Sequence, residues 1–398
     1  MLTSLALIFL IGMLTGSVFK KLKLPSLLGM LLTGIVLGPH VLNLLDSSIL
    51  GISAELRKLA LIIILARAGL SLDIKDLIKV GRPAVLMCFV PACFEMVGMI
   101  LLAPKLLGVS LLDAAIMGAV VGAVSPAVVV PKMLNLMENG YGTDKSIPQL
   151  ILAGASVDDV FVIVMFTSFT GLAMGEGISA SSFLEIPISI VLGLVGGIAV
   201  GLLILELFKK FHMRDSYKVI VMLSIAFLLV AAEDKLTGIL PFSGLLAVMS
   251  MGIIVQKNNQ NLAVRISSKF SKLWVAAELI LFVLVGAAVD IEYAAAAGIS
   301  SILLIAGVLI FRMIGVYICL LKTQLSNKER LFCMIAYTPK ATVQAAIGSV
   351  PLAMGLSCGQ IVLTVAVIAI LITAPLGAFG IDMTHKKLLY HNSNHKVI

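Results

Sequence analysis

Residues 297–321 read AGISSILLIAGVLIFRMIGVYICLL, an apolar run in which Arg312 is the only charge. About 20 mainly apolar residues carry a helix across a bilayer, so this run is long enough. It lacks the alternating ten-residue segments of a membrane barrel. Helices and closed barrels alone satisfy their own backbone in lipid, so a spanning helix is the reading. The same run poses a question, because an arginine at mid-depth is costly and by default functional.

The rest of the chain has the same character. Of 398 residues, 60% are hydrophobic and 13% charged, and mean hydropathy is +1.13. Soluble domains run nearer about 45–50% apolar and about 25% charged. Apolar runs predict thirteen spans, near 3–19, 24–39, 56–72, 83–103, 111–134, 147–173, 183–208, 217–232, 240–256, 273–289, 297–321, 331–354 and 358–380. The N-terminal run lacks a basic leader and is followed by Lys20, Lys21 and Lys23, the pattern of a retained span with its N-terminus outside. With that start, 22 of the 29 Lys and Arg fall in cytoplasmic loops or the tail, including Lys75, Lys79 and Lys396. Four (Arg57, Lys58, Lys105 and Lys235) fall opposite, and Arg67, Arg312 and Lys340 lie inside spans. One span too many or too few would invert the later loops and spoil this bias, so thirteen spans with a cytoplasmic C-terminus is the consistent count.

The net charge of +8 is dispersed over short loops, which excludes a nucleic-acid-binding domain. Cys88, Cys93, Cys319, Cys333 and Cys358 lie in apolar stretches without ligand spacing, and His40, His212, His385, His391 and His395 lie in loops or the tail. No resident metal or cofactor is expected. No G-x-x-x-x-G-K-[ST] motif occurs, which argues against an ATP-driven pump.

Weak self-similarity recurs in chain order. LPSLLGMLLTGIV from Leu24 resembles LPFSGLLAVMSMGII from Leu240, and GLSLDI (Gly69–Ile74) resembles GAAVDI (Gly286–Ile291). Glu95 matches Arg312, and SPAVVVP (Ser125–Pro131) matches TPKATVQ (Thr338–Gln344). The offsets, 213 to 217, equate spans seven apart, so the two six-span repeats run in opposite directions. Inverted repeats are common in secondary transporters.

The polar residues inside spans are the candidate machinery. GASVDDVFVIVMF places Asp158 and Asp159 side by side in the sixth span, about 100° apart on a helix. One can face a cation while the other reaches a base. Pro126 in GAVVGAVSPAVVVP and Pro339 in AYTPKATVQAAIG break the fifth and twelfth spans at equivalent depth. If the broken spans cross, their ends and freed carbonyls surround the aspartates, and Lys340 offsets the local negative charge. Ser125 and Thr338, each preceding a proline, are expected to supply oxygen ligands or to cap the broken ends. Glu95 and Arg312 are expected to form an ion pair, with Asp158 as the competing partner of Arg312. Arg67, nearer a span end, either snorkels or functions.

RAGLSLD, GAVSPAVVVPKML, GYGTDKSIPQLILAGASVDDV and TPKATVQAAIGSV resemble the monovalent cation:proton antiporter superfamily, and within it the sodium/hydrogen exchanger 9B (NHA-type) group, including its bacterial relatives. The resemblance implies an Nha-type fold with crossed broken helices, spread over 1–398 as one transporter domain. It further implies a homodimer: 1–72 and 217–289 mainly scaffold, 83–173 and 297–380 mainly ion-carrying core, and 183–208 a linker span. Asp159 matches the cation- and proton-binding aspartate, and Asp158 its neighbour; together they are the expected Na⁺ ligands. Arg312 stands where electrogenic relatives often carry lysine. Only about 18 residues follow the last span, so no nucleotide-binding regulatory domain is expected.

The expected function is exchange of Na⁺ or Li⁺ for H⁺ by alternating access in a cell membrane, of the bacterial inner-membrane type, serving pH homeostasis. Desolvation penalises an ionised carboxylate, and a cation needs it ionised, so proton and cation exclude each other at one site. The rival readings are a K⁺/H⁺ antiporter, a sodium-coupled organic-anion symporter and a cation channel. An intramembrane aspartyl protease would need acids from two facing spans, whereas Asp158 and Asp159 are adjacent.

Overall fold

The computed structural model describes residues 1–71, 81–174, 180–236 and 240–391. Lys75, Lys79, the 72–74 end of GLSLDI, His395 and Lys396 lie outside the described residues. Those described form helices α1 (Leu2–Lys21), α2 (Ser26–Leu37), α3 (Ser47–Gly51), α4 (Ser53–Ser71), α5 (Arg82–Met87), α6 (Val90–Leu107), α7 (Leu111–Val121), α8 (Pro126–Glu138) and α9 (Ile147–Ala173). They continue with α10 (Ala180–Lys210), α11 (Asp215–Leu236), α12 (Gly244–Asn258), α13 (Gln260–Ala287), α14 (Ile291–Cys319), α15 (Asn327–Ala336), α16 (Thr342–Ile347), α17 (Val350–Ala353) and α18 (Gly359–Leu388). Among the described residues, the isolated bridge between Tyr141 and His391 is the one strand-like pairing.

Nine segments among the described residues are long and apolar enough to cross a membrane, fewer than the thirteen drawn from sequence. The shortfall has local causes. Ser26–Leu37, Gly244–Asn258 and Thr342–Ala353 are apolar but short. The first two start just after Pro25 and Pro241, and the third after a break at Pro339. Helix α4 is 19 residues long but carries Glu55, Arg57, Lys58 and Arg67.

The chain packs into two compact units. The first comprises residues 1–54, 81–162 and 282–391. Within it, glycines let helix axes approach, as in membrane bundles generally. A Cβ on Gly34 of α2 would collide with the carbonyl of Val283, and one on Gly286 with that of Leu31. The Thr15 and Thr33 hydroxyls meet at 2.7 Å between α1 and α2. Helices α6 and α14 pack along one another, with Gly98 against Phe311 and Gly315 against Pro91 and Phe94. Gly377 of α18 leaves room for the Pro339 ring. Beside these lies a core including Met87, Val124, Ile151, Val316, Phe332 and Ile381. The amide of Gly142 donates to the Tyr390 carbonyl at 2.8 Å, tying the 139–146 loop to the end of the described chain.

The second unit comprises residues 55–71, 163–174, 180–236 and 240–281. Its tightest pair is α10 with α12. Gly193, Gly197 and Gly201 recur every four residues on α10, and each faces α12 or its N-cap: Ser243, Ala247 and Ile254 in turn. Gly69 of α4 meets the Met249 carbonyl in the same way.

Candidate functional site

Two helical tracks stop inside the first unit. The first starts at α7 behind a Ser110/Asp113 capping box and ends at Val121. Gly122–Ser125 are not helical, and α8 then begins with Pro126 at its first position, where a missing N–H costs nothing. The second starts at α15 behind a Ser326/Glu329 capping box and ends at Ala336. Tyr337–Ala341 are not helical, and α16 begins at Thr342. The breaks meet: the Ser125 amide donates to the Pro339 carbonyl at 2.8 Å.

A helix end leaves unpaired amides and carbonyls, and buried ones need partners. Three side chains supply most of them. Arg312 of α14 donates from Nε to the Tyr337 carbonyl at 2.6 Å and from Nη1 to the Gly122 carbonyl. Gln344 of α16 donates from Nε2 to the carbonyls of Val121 (3.2 Å) and Ala123 (2.8 Å). Its Oε1 accepts from the Ala341 amide at 2.8 Å. Asp158 of α9 accepts the Val124 amide on Oδ2 at 2.8 Å, and Thr373 Oγ1 of α18 accepts the Lys340 amide at 2.9 Å. The carbonyls of Val121, Gly122, Ala123, Tyr337 and Pro339, which the breaks release from helical bonding, are therefore taken. An apolar surround cannot tolerate them bare, and Arg312 and Gln344 reach the first four from outside the first break.

The same crossing gathers the buried charges. Glu95, Asp158, Asp159, Arg312 and Lys340 are all buried. Arg312 Nη1 lies 2.6 Å from Glu95 Oε2, and Nη2 lies 3.0 Å from Asp158 Oδ2. The structure thus gives Arg312 both partners that the sequence had left as alternatives. Lys340 Nζ also lies 2.6 Å from Glu95 Oε2, so its charge rests on Glu95. The Arg312 guanidinium stacks 5.0 Å from the Tyr337 ring centroid, and Tyr337 Oη donates to the Met87 carbonyl at 3.0 Å.

Not every polar atom here is paired. Among the described residues, Ser125 Oγ, Asp158 Oδ1, Asp159 Oδ1 and Glu95 Oε1 are buried without a hydrogen-bond partner. Ser125 sits at the N-cap of α8 without a side-chain cap bond. The Thr338 hydroxyl donates instead to the Ile335 carbonyl of its own helix at 2.8 Å. With all five groups ionised, three carboxylates face two bases, and one further positive charge would balance them.

Gln344, Thr373 and Tyr337 had no role in the sequence reading. Gln344 was findable: it is an amide in an apolar span, inside the quoted TPKATVQ. Thr373 and Tyr337 carry no such signal, because isolated hydroxyls are common in membrane helices. Among the described residues, no cluster of His, Cys, Asp and Glu suits a resident metal ion.

Comparison with known proteins gives the family and the fold. The profile of the family described as sodium/hydrogen exchanger, transmembrane, matches residues 5–387. The mouse sodium/hydrogen exchanger 9B2 is 33% identical over 99% of this chain and 75% of its own length. The human sodium/hydrogen exchanger 9B1 is 31% identical over 98% of this chain and 78% of its own. In fold, the structure resembles the sodium proton antiporter MjNhaP1 from Methanocaldococcus jannaschii at pH 8. The TM-score is 0.85 at 21% identity, covering 97% of this chain and 98% of that one.

Proposed function

The chain belongs to the sodium/hydrogen exchanger family, and on that premise we propose that it exchanges Na⁺ or Li⁺ for H⁺ at Asp159. It is a multi-pass membrane transporter, not an enzyme. The observation that carries the reading is the set of unpartnered buried oxygens, Asp159 Oδ1, Asp158 Oδ1 and Ser125 Oγ, beside a charge cluster one positive charge short of balance. A partly dehydrated alkali cation seeks oxygen donors, as harder cations do. A proton on Asp159 supplies the same charge and removes the ligand. Cation and proton then replace one another, and neither joins the other.

Asp158 is held by Arg312 and the Val124 amide through Oδ2, which leaves Oδ1 for the cation. Arg312 and Lys340 offset two of the three carboxylates when the cation leaves, and a proton on Asp159 offsets the third. Coupling requires that the loaded and protonated forms change sides readily and the empty form does not. Thirteen crossings in two inverted repeats, N-terminus outside and C-terminus in the cytoplasm, fit this reading. The equivalent placing of the two breaks, and of Glu95 and Arg312, supports the repeats. A homodimer with an ion-carrying core of 83–173 and 297–380 moving past a scaffold completes the proposal, with control of internal pH as its use.

The test is cation-driven proton movement in proteoliposomes holding the purified chain. A Na⁺ or Li⁺ gradient should move protons the opposite way, and the apparent KM for the cation should rise as pH falls. Flux that needs an organic solute, or cation flux without protons, would replace this reading with the symporter or the channel. Running the assay at clamped voltage gives the stoichiometry, and exchanging Na⁺ for K⁺ gives the selectivity.

A further inference from the structure

Resting on that exchange reading, we propose that Gln344 is a specificity-determining residue: it masks the backbone carbonyls of Val121 and Ala123, and so forces the cation onto groups that also bind protons. The C-terminal end of an interrupted helix carries partial negative charge on its unpaired carbonyls. Such oxygens suit an alkali cation. They also do not titrate, so a cation held by them binds equally well at acid pH and does not have to expel a proton. A break of this kind thus offers a second way to bind the cargo, one that uncouples it from protons.

At three carbonyls of the first break that route is closed. The carbonyls of Val121, Gly122 and Ala123 are consecutive, and each accepts from a side-chain N–H. The orientation of the Gln344 amide is chemically fixed. The Ala341 backbone N–H can only donate, so it must face Oε1. The carbonyls can only accept, so they must face Nε2. The positive end of the amide dipole therefore covers the first break. Gln344 is fully buried and sits on the second track. The guanidinium of Arg312 covers the middle carbonyl, but it also binds Glu95 and Asp158, so its removal has several effects at once. Gln344 has no carboxylate among its hydrogen-bond partners among the described residues, which separates masking from charge balance.

The experiment measures apparent KM for Na⁺ against pH in proteoliposomes for the wild type, Gln344→Leu and Gln344→Asn. The asparagine keeps an amide but is one methylene too short to reach across the break. Thermal stability in detergent is followed in parallel, and ²²Na⁺ binding replaces transport for any folded variant that no longer turns over. Where the cation requires a deprotonated ligand, wild-type KM rises about tenfold per pH unit on the acid side. Both variants should show a shallower rise, under about threefold per unit for the leucine, with tighter cation binding than wild type at acid pH. An unchanged slope in a folded asparagine variant, with only turnover or melting temperature lowered, would make Gln344 a brace and overturn the masking role. If wild-type KM does not depend on pH at all, the exchange reading fails and this inference goes with it.

Discussion

The two breaks lie at the matching stretches SPAVVVP and TPKATVQ but have opposite contents. The first, Gly122–Ser125, carries no charge, and its amides and carbonyls depend on side chains from α9, α14 and α16. It leaves Ser125 Oγ without a partner. The second, Tyr337–Ala341, carries Lys340 and settles more of its needs locally: Gln344 caps the Ala341 amide from three residues on, and the Thr338 hydroxyl turns back to Ile335. In the proposed mechanism the first break is the ligand face and the second presents a charge, although Thr342 Oγ1 just past the second is also unpartnered. Equivalence of sequence position does not give equivalence of role, because the partners that reach each break differ.

Substitutions can break that contrast or sharpen it. The largest effect is expected at Asp159, whose neutral analogue Asp159→Asn should abolish cation-driven proton movement while leaving a folded protein by size-exclusion profile. Turnover near wild type would remove the single-site mechanism. Asp158→Asn should be milder, shifting the pH response. Next come the charges behind the breaks. Removing one partner of a buried pair costs about 3–5 kcal/mol in soluble proteins, and less in membranes, where unfolded spans find other partners. Arg312→Ala should lower melting temperature more than Glu95→Ala, because it also strips Tyr337, Gly122 and Asp158 of their donor. The double variant should cost less than the sum, and strict additivity would show that the two do not interact.

Smaller effects test the breaks directly. Ser125→Ala should weaken apparent cation affinity several-fold, whereas Thr338→Val should leave it near wild type and cost only about 1 kcal/mol of stability through one lost hydrogen bond. Equal effects on affinity would erase the distinction between ligand face and brace. The smallest effect lies at the start of α15. Burial works against the Glu329 carboxylate, but Lys145 and then the Ser326 amide and hydroxyl hold it below the ordinary value of 4.5. A carboxyl lowered on folding stabilises above its ordinary value, and that stabilisation is lost as pH falls through the lowered one. Glu329→Gln should therefore melt lower at neutral pH, with the gap to wild type closing below about pH 4.

What could be read beforehand follows physical lines. Hydropathy marked the nine long apolar helices among the described residues, because lipid imposes that pattern on composition. Prolines located the breaks, since a missing N–H acts locally. Asp158, Asp159, Glu95, Arg312 and Lys340 stood out because charge inside a span is rare. The carbonyl partners did not, because a backbone atom has no letter in the sequence. Nor was it legible that Arg312 holds both acids, since that depends on the angles of three helices. Short helices such as α2 and α12 escape a length rule because proline and serine start them late.

The glycines of α10 carry a consequence for inheritance. Gly193, Gly197 and Gly201 each stand where even a methyl group would strike α12 or its N-cap. Any single-base change of a glycine codon that alters the residue gives a larger one, alanine at the least. These positions therefore have no mild neighbours in the genetic code, whereas a buried leucine nearby can become valine or methionine in one step. This stretch, which holds none of the charged residues of the crossing, should then be among the least forgiving to random mutation, and a mutagenesis library of the whole chain should show depletion there as deep as at the aspartates.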